Sequence, residues 1–369
     1  MAGTYDRYIK YNELAYKTFR YADTTFRMIL NEQTGGTLTS SLRPTKGNYY
    51  SDVVWGNQAN KAELAAPNVQ SAVTAEQQRQ LQRIDIKVGC RMPQYAWQSI
   101  ASDWIGISRD EQAAIWGRTV AESFIRIKIE SIVGALVAGF SKGIIGTGAP
   151  GAIGAKDTEI EKVIDDQSGS AVGLDKRLDV SKLLVAQGKF GDMAGAITGI
   201  IMHGSAFFGM QAENLRSFQN LFMYQGSFVA TSSTGLRIFV TDVPALTFKE
   251  GSVTKYRTLL LRPNSANIFE NGDFDQNISR DNGKTWIETT AQAQQTFNVG
   301  IRGLTWSNIA SIHPVMGTTD VTGTGTAKLA GLHMNAGVLD NPASWERVGT
   351  DETQPITFKE LPGAMIISQ

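Results

Sequence analysis

The sequence predicts an α+β chain, with helices in its first two thirds and strands in its last, on three observations. Residues 1–30 and 108–140 place apolar side chains at three- and four-residue spacing, the period of a helix face. From Gly235 onward, short β-branched and aromatic runs are punctuated by Gly, Asn and Pro, as in strands joined by turns. Between them, residues 185–215 read as a small α/β unit. It has an apolar helix, a break at Gly191-Asp192, a second helix, a four-residue strand ending in Met202-His203, and a third helix opened by Gly204-Ser205.

The first helix carries seven aromatics in its first 26 residues: Tyr5, Tyr8, Tyr11, Tyr16, Phe19, Tyr21 and Phe26. Tyr8, Asn12, Ala15, Phe19, Ala22 and Phe26 share one face, with Thr4 as the expected cap and Asp6 in the first turn. Such a helix either packs on its own domain or reaches a neighbour, since a terminal segment needs docking to stay ordered. Residues 35–60 read as a long irregular loop with short strand pieces around Tyr49, Tyr50 and Val53-Val54-Trp55. Ile84-Asp85-Ile86-Lys87-Val88 alternates as a half-buried strand. Residues 35–98 are therefore expected to form a two-stranded excursion, which is marginal alone in water and must lie against another surface.

Ser108 with Glu111 three residues on is a capping-box signal opening the longest helix. Trp116, Val120, Phe124, Ile127, Ser131, Gly134 and Ala138 mark its face, and Lys142-Gly143 its end. Residues 125–129 also alternate like a strand, a local conflict that length and the cap resolve toward helix. In the last third, strands are expected at 235–240, 256–261, 296–306 (interrupted at Gly300) and around Met365-Ile366-Ile367. Asn282-Gly283 is expected to form a type I′ hairpin turn.

Composition bounds the function. The 369 residues suffice for about two domains, and 42% are hydrophobic, as in a globular chain. Lys plus Arg equals Asp plus Glu at 35 each, so no global field gathers nucleic acid or anionic membrane. Charged residues make up only 19%, against roughly 25% in typical soluble domains, which suits either a chain that buries surface against copies of itself or simply a loop-rich protein. The single Cys90 excludes an internal disulfide and any multi-cysteine metal site. No signal core opens the chain, and the apolar run 132–140 falls far short of the ~18 residues of a span, so a soluble cytoplasmic product is expected.

Several motifs suggest chemistry and fail on context. Gly146-Thr147-Gly148-Ala149-Pro150-Gly151 is a literal GxGxxG, but it follows a helix instead of a strand, and Pro150 removes a donor from a loop that would have to donate. Asp157, Glu159, Glu161, Asp165 and Asp166 lack the frame of a metal loop and read as a solvated acidic face. His203, Ser205 and Asp192 could be imagined as a hydrolytic triad. Position 203 is His and 207 is Phe where a nucleophile elbow needs Gly, so a histidine bonded to backbone at a strand end is the simpler account. Residues 273–284 begin like a calcium loop, but Ile278 replaces the required Gly and Lys284 the bidentate Glu. His313 and His333 share no ligand spacing with His203. No catalytic residue, metal or cofactor is expected.

The order of these elements carries a resemblance. The aromatic arm, extended loop and long helix are followed by Lys189-Phe190-Gly191-Asp192 and Ile200-Ile201-Met202-His203-Gly204-Ser205. Arg237-Ile238-Phe239-Val240-Thr241-Asp242-Val243-Pro244, Gly303-Leu304-Thr305-Trp306 and Asn341-Pro342-Ala343-Ser344-Trp345-Glu346-Arg347-Val348 come next. In that series the chain resembles tailed-bacteriophage major capsid proteins of the Hong Kong ninety-seven fold.

The resemblance implies an N-terminal arm (1–34), an extended loop or E-loop (35–98), and a peripheral domain with a spine helix (99–175). An axial α/β domain (176–265), peripheral strands (266–310) and a C-terminal segment returning to the axial domain (311–369) complete it. It further implies a coat subunit forming pentamers and hexamers of an icosahedral shell around double-stranded DNA, held without sequence specificity. The partners implied are other copies, a portal, a separate scaffolding protein and, as an option, a decoration protein, with no membrane. The localisation implied is the virion, with assembly in the host cytoplasm. Tyr5, Tyr8, Phe19, Phe26, Tyr49, Tyr50 and Trp55 are the expected assembly contacts, and removing residues 1–30 is expected to leave a folded subunit that no longer assembles. An encapsulin-like nanocompartment shell is the alternative, and an α/β enzyme using the Gly146 loop or His203 a more distant one.

Overall fold

In the computed structural model the aromatic N-terminal segment is one 32-residue helix, α1 (Ala2–Gln33). The structure describes residues 2–45, 49–55, 80–98, 106, 108–144, 156–169, 176–213, 218–224, 227–232, 236–281, 285, 287–306, 339–349 and 356–369. Ala15, Phe19, Phe26 and Leu30 are buried along one stripe of α1, with Ala22 packed beside them. The helix starts two residues before Thr4, which lies in its first turn and does not cap it.

A six-stranded sheet begins with β1 (Leu38–Leu42), β2 (Tyr49–Trp55) and β3 (Gln80–Gln98). β2 pairs antiparallel with β3 from Tyr49↔Ile86 to Trp55↔Gln80, the ribbon that the sequence predicts. The ribbon is not free-standing at its base. β3 runs far beyond residues 84–88 and pairs from Ile86 to Gln98 with a strand of residues 288–301, so its alternation buries Ile84, Ile86, Val88, Cys90 and Met92. The register shifts between Ala291 and Ala293, opposite Pro93, which has no N–H to give the ladder.

The long helix is α2 (Arg109–Ser141), and Ser108 caps it by accepting from the Glu111 N–H at 3.2 Å. Its first half buries Ala113, Trp116, Val120, Ala121 and Phe124 on one side; residues 131–141 are buried all round, because this half lies inside the core. Helix therefore wins over the strand-like alternation of residues 125–129.

A second, eight-stranded sheet holds β4 (Ile164–Asp166), preceded by the one-turn helix α3 (Thr158–Glu161). Then come α4 (Val180–Gly188), a 3-10 turn (Gly191–Ala196), β5 (Gly199–Met202) and α5 (Gly204–Glu213), in the predicted order. β6 (Phe218–Tyr224), β7 (Ser227–Ser232), β8 (Arg237–Val240), β9 (Thr247–Glu250) and β10 (Val253–Leu261) follow. β5 lies centrally, parallel to β8 and antiparallel to β10, and is buried throughout.

At Arg262–Ser265 the chain crosses back, with Asn264 at φ 56° and the Ser265 hydroxyl donating to the Arg262 carbonyl at 2.6 Å. The first sheet is completed by β11 (Ala266–Glu270), β12 (Asp275–Asp281) and β13 (Glu288–Ile301), in the order β1-β11-β13-β3-β2 with β12 beside β13. β14 (Leu304–Trp306) pairs with β15 (Trp345–Arg347), where the Trp306 and Trp345 rings meet edge to face at 5.3 Å. β16 (Gly363–Ser368) returns to the second sheet between β10 and β4.

The expected hairpin joins β12 to β13, with Asp281 opposite Glu288; its Asn282-Gly283 turn lies outside the described residues. Two expectations are corrected. Gly300 does not interrupt β13, because the chain turns at Gly303, where φ is 71°. β4, within the segment expected to belong with the long helix, instead pairs parallel with β16 in the other sheet, since its buried Ile164 needs that sheet's core. The Gly146 loop and residues 316–326 lie outside the described residues. One contiguous apolar core joins α1, α2 and both sheets.

Candidate functional site: assembly surfaces and a buried charge cluster

The docking of α1 on α2 decides which arm residues remain available to a neighbour. Phe19 stacks on Phe274 with ring centroids 3.7 Å apart and meets Phe124 edge to face at 6.1 Å. Burying such a ring contributes about 1.5–3 kcal/mol. The backbones touch at Gly117: a Cβ there would lie 2.4 Å from the Ala15 carbonyl oxygen. Of the two roles open to this helix, Phe19 and Phe26 therefore take packing on their own subunit, being 1% and 2% exposed.

Between the aromatic layers lies a charge cluster. Lys128 of α2 is fully buried, and its Nζ stands 2.7 Å from Asp23 Oδ1 on α1 and 2.8 Å from Glu270 Oε1 at the end of β11. Arg27 closes the group, its Nη2 3.4 Å from Asp23 Oδ2 and its Nε 3.6 Å from Glu270 Oε2. Two cations face two carboxylates, so the cluster is neutral as a unit.

The protonation equilibria follow from burial and from these neighbours. Burial disfavours the charged Lys128, but the Asp23 and Glu270 carboxylates outweigh it and hold its pKa above the ordinary lysine value. Burial raises the Glu270 pKa; Lys128 works against that rise, and the Asp23 charge adds to it. For Asp23, burial is opposed by Lys128 and by a hydrogen bond shared with Glu270, and its pKa stays low.

At the base of the ribbon, the Arg43 guanidinium lies over the Tyr50 ring at 4.0 Å and donates to its hydroxyl. Tyr49 is half-buried against the core. Asp85 of β3 is fully buried, accepts from Arg83 at 3.2 Å, and has its pKa pushed up to about 6 by burial, Arg83 opposing the rise. A Cβ at residue 300 would sit 2.6 Å from this carboxylate, so Gly300 makes room for a buried charge. Trp55 ends β2, and Tyr5 and Tyr8 lie in the first turns of α1; their side chains lie outside the described residues.

The sequence reading missed two groups. Tyr21 and Met28, 77% and 59% exposed, stand seven residues apart on the outward face of α1, and Val53 of β2 is 51% exposed. It also passed over the charge cluster, although a signal existed: Asp23 lies four residues from Phe19, and Lys128 four from Phe124, each on an apolar helix face.

The chemical leads resolve into structural roles. The Ser205 backbone N–H donates to His203 Nδ1 at 3.1 Å, so the imidazole caps α5 as the strand-end reading expects. The carboxylate facing His203 Nε2 is Asp242 at 3.5 Å, while Asp192 pairs with Lys359, so the imagined triad is not assembled. An open cleft of about 650 Å³ lies beside α5, lined among others by Ser205, Gly209, Thr254 and Tyr256. Asp157 caps α3 and pairs with Arg347, and Asp273 accepts from the Thr296 N–H at 2.9 Å. Cys90 is buried, which raises its thiol pKa to about 12. Among the described residues no group of three or more His, Cys, Asp or Glu could hold a metal ion, and no helix is long and apolar enough to cross a membrane.

A family model described as Gp13-like, major capsid protein 13-like, matches residues 9–339. Among solved structures, the chain is similar to the capsid asymmetric unit of cyanophage Pam1 at 10% identity and TM-score 0.48, covering 72% of this chain and 84% of that one. It is similar to the capsid of Ralstonia phage GP4 at 9% identity and TM-score 0.46, covering 72% and 82%. For the mature capsid of bacteriophage PhiM1 the values are 12%, 0.42, 72% and 82%. No curated protein sequence matches the chain.

Proposed function

The chain belongs to the major capsid protein 13-like family, a phage major capsid protein of the virion shell, and from that premise we propose that it self-assembles into the pentamers and hexamers of an icosahedral shell enclosing double-stranded DNA. The observation that carries this reading is the family match across residues 9–339, which spans most of α1 and most strands of both sheets. The element order supports a Hong Kong ninety-seven type of subunit, with β2–β3 as the extended loop, α2 as the spine helix and the β5-centred sheet as the axial domain.

The work of such a subunit is association, not catalysis. Obligate interfaces bury ~2,000 Å² or more, and repeated contacts of modest strength build a closed shell by symmetry. Tyr21 and Met28 on α1, Tyr50 and Trp55 on the ribbon, and Tyr5 and Tyr8 at the tip of the arm are the contacts we assign. Zero net charge limits repulsion between many copies and lets the interior tolerate DNA without gripping it. A portal, a separate scaffolding protein and an optional decoration protein complete the assembly, which takes place in the host cytoplasm.

Negative-stain microscopy of the purified chain tests the reading. Closed icosahedral shells are the expected result; a small oligomer that forms no shell under assembly conditions would overturn it. Shells that enclose a cargo protein in place of DNA in infected cells would move the chain to the nanocompartment alternative.

A further inference from the structure

A buried lysine between two carboxylates needs a reason, because each charge has been taken out of water at a large cost. Lys128 is fully buried, and Asp23 and Glu270 are each 1% exposed. Phe19 and Phe26 stand one turn to either side of Asp23 on α1, and Phe124 one turn before Lys128 on α2, all buried. Lys128 Nζ lies 2.7 Å from Asp23 Oδ1, and the same nitrogen lies 2.8 Å from Glu270 Oε1. One ammonium therefore donates to both carboxylates, and Arg27 reaches the second oxygen of each. An amine, an acyl acceptor and a second carboxyl that bonds the same nitrogen are thus held together in a dry site.

From this geometry we infer that Lys128 and Asp23 condense into an intramolecular isopeptide bond, with Glu270 as the proton shuttle, covalently joining α1 to α2. Glu270 first takes a proton from the Lys128 ammonium, leaving a neutral amine and a neutral carboxylic acid. The Lys128 Nζ lone pair attacks Asp23 Cγ, and the Glu270 proton passes to an Asp23 oxygen. Glu270 then removes a proton from the new C–N nitrogen and delivers it to the departing hydroxyl. The C–O bond breaks, water leaves, and Glu270 ends as the carboxylate it began as. Ammonium plus carboxylate gives amide plus water, so no oxidant, metal or further reactant is needed.

Two features favour this outcome over a permanent ion pair. Holding the reacting groups in contact gives them an effective concentration far above any attainable in solution. The product also balances the remaining charge. Two buried ions become a neutral amide, and Glu270 keeps Arg27, whose Nε lies 3.6 Å from its Oε2. The link would fix α1 to α2 across 105 residues of sequence.

Intact-mass spectrometry of the full-length protein under denaturing conditions decides the matter, on protein as purified and after prolonged incubation. The expected mass is one water below that of the sequence, with a branched tryptic peptide joining the segments around Asp23 and Lys128 and no cleavage after Lys128. Glu270→Gln, which keeps the side chain's size, should return the full sequence mass. Lys128→Arg, which keeps the charge without an amine nucleophile, should do the same if the first variant fails to fold. Wild-type protein at full mass in both preparations overturns the inference, as does a water loss mapped to any other pair. The mass is read on unfolded monomer, so the result stands whether or not the chain forms shells.

Discussion

Gly117 of α2 and Ala15 of α1 meet backbone to backbone, closely enough that a Cβ on Gly117 would stand 2.4 Å from the Ala15 carbonyl oxygen. A contact this short fixes how deeply the N-terminal helix sits, and with it which of its aromatics face inward. Gly117→Val should force the helices apart and loosen Phe19 from Phe124, a loss of about 1–3 kcal/mol from overpacking. Chemical denaturation measures it, and an unchanged midpoint would mean that the two helices are not held in this contact.

Lys128→Met removes both the counter-charge and the amine that could form the amide, so it should leave Asp23 and Glu270 as two unlinked carboxylates with Arg27 as the remaining cation. Removing one partner of a buried ion cluster costs about 3–5 kcal/mol. The change should appear as a large drop in unfolding midpoint, and a shift below about 1 kcal/mol would show that the cluster is open to water.

Asp85 gives the subunit a pH dependence of definite sign. Its folded pKa is raised from 3.8 to about 6, so the folded chain holds a proton that the unfolded chain has already released between about pH 4 and 6. The contribution of this group to stability therefore falls as pH rises through that window, by at most about 3 kcal/mol. Glu270 and Asp340 shift in the same direction, so the wild type alone does not isolate Asp85. Asp85→Asn should flatten the decline relative to wild type, as followed by thermal unfolding across that range; identical profiles would assign the pH dependence elsewhere.

The structure revises what a truncation of the arm should do. Removing residues 1–30 would take away Phe19, Phe26 and the Asp23 partner of Lys128, and so unfold the subunit instead of only blocking assembly. Removing residues 1–12 spares all of these. The shorter truncation should leave a folded monomer, by circular dichroism and unfolding midpoint, that yields few or no shells by microscopy. Normal shells from it would exclude Tyr5 and Tyr8 as contacts.

Trp55→Ala tests the ribbon in the same way. Trp55 ends β2, opposite Gln80, next to residues 56–79. Shell yield should fall while the unfolding midpoint moves by no more than about 0.5 kcal/mol. A parallel loss of both would make Trp55 a core residue.

Some of this molecule is written locally, and some of it is not. The Ser108 cap, the end of α2 at Ser141 and the order of elements from Val180 to Glu213 were legible because capping, helical period and glycine breaks act within a few residues. The charge cluster left only a faint trace, two charged residues on apolar helix faces, since periodicity does not say what will meet them. The outward placement of Tyr21 and the inward placement of Phe19 likewise depended on where α2 lies, which aromatic content alone does not state.

The sequence by itself determined the two long helices, the α/β unit of residues 185–215 and the strands around 84–88, 235–240 and 256–261, with the aromatic arm and the balanced charge that suit assembly. Tertiary structure alone decided that β4 and β16 share a sheet, that β3 extends through 19 residues as a shared strand, and that Asp23, Lys128 and Glu270 converge. The physical reason is range. A strand alternates in the same way whichever partner it finds, and a buried charge is tolerable only beside a counter-charge that here comes from more than a hundred residues away.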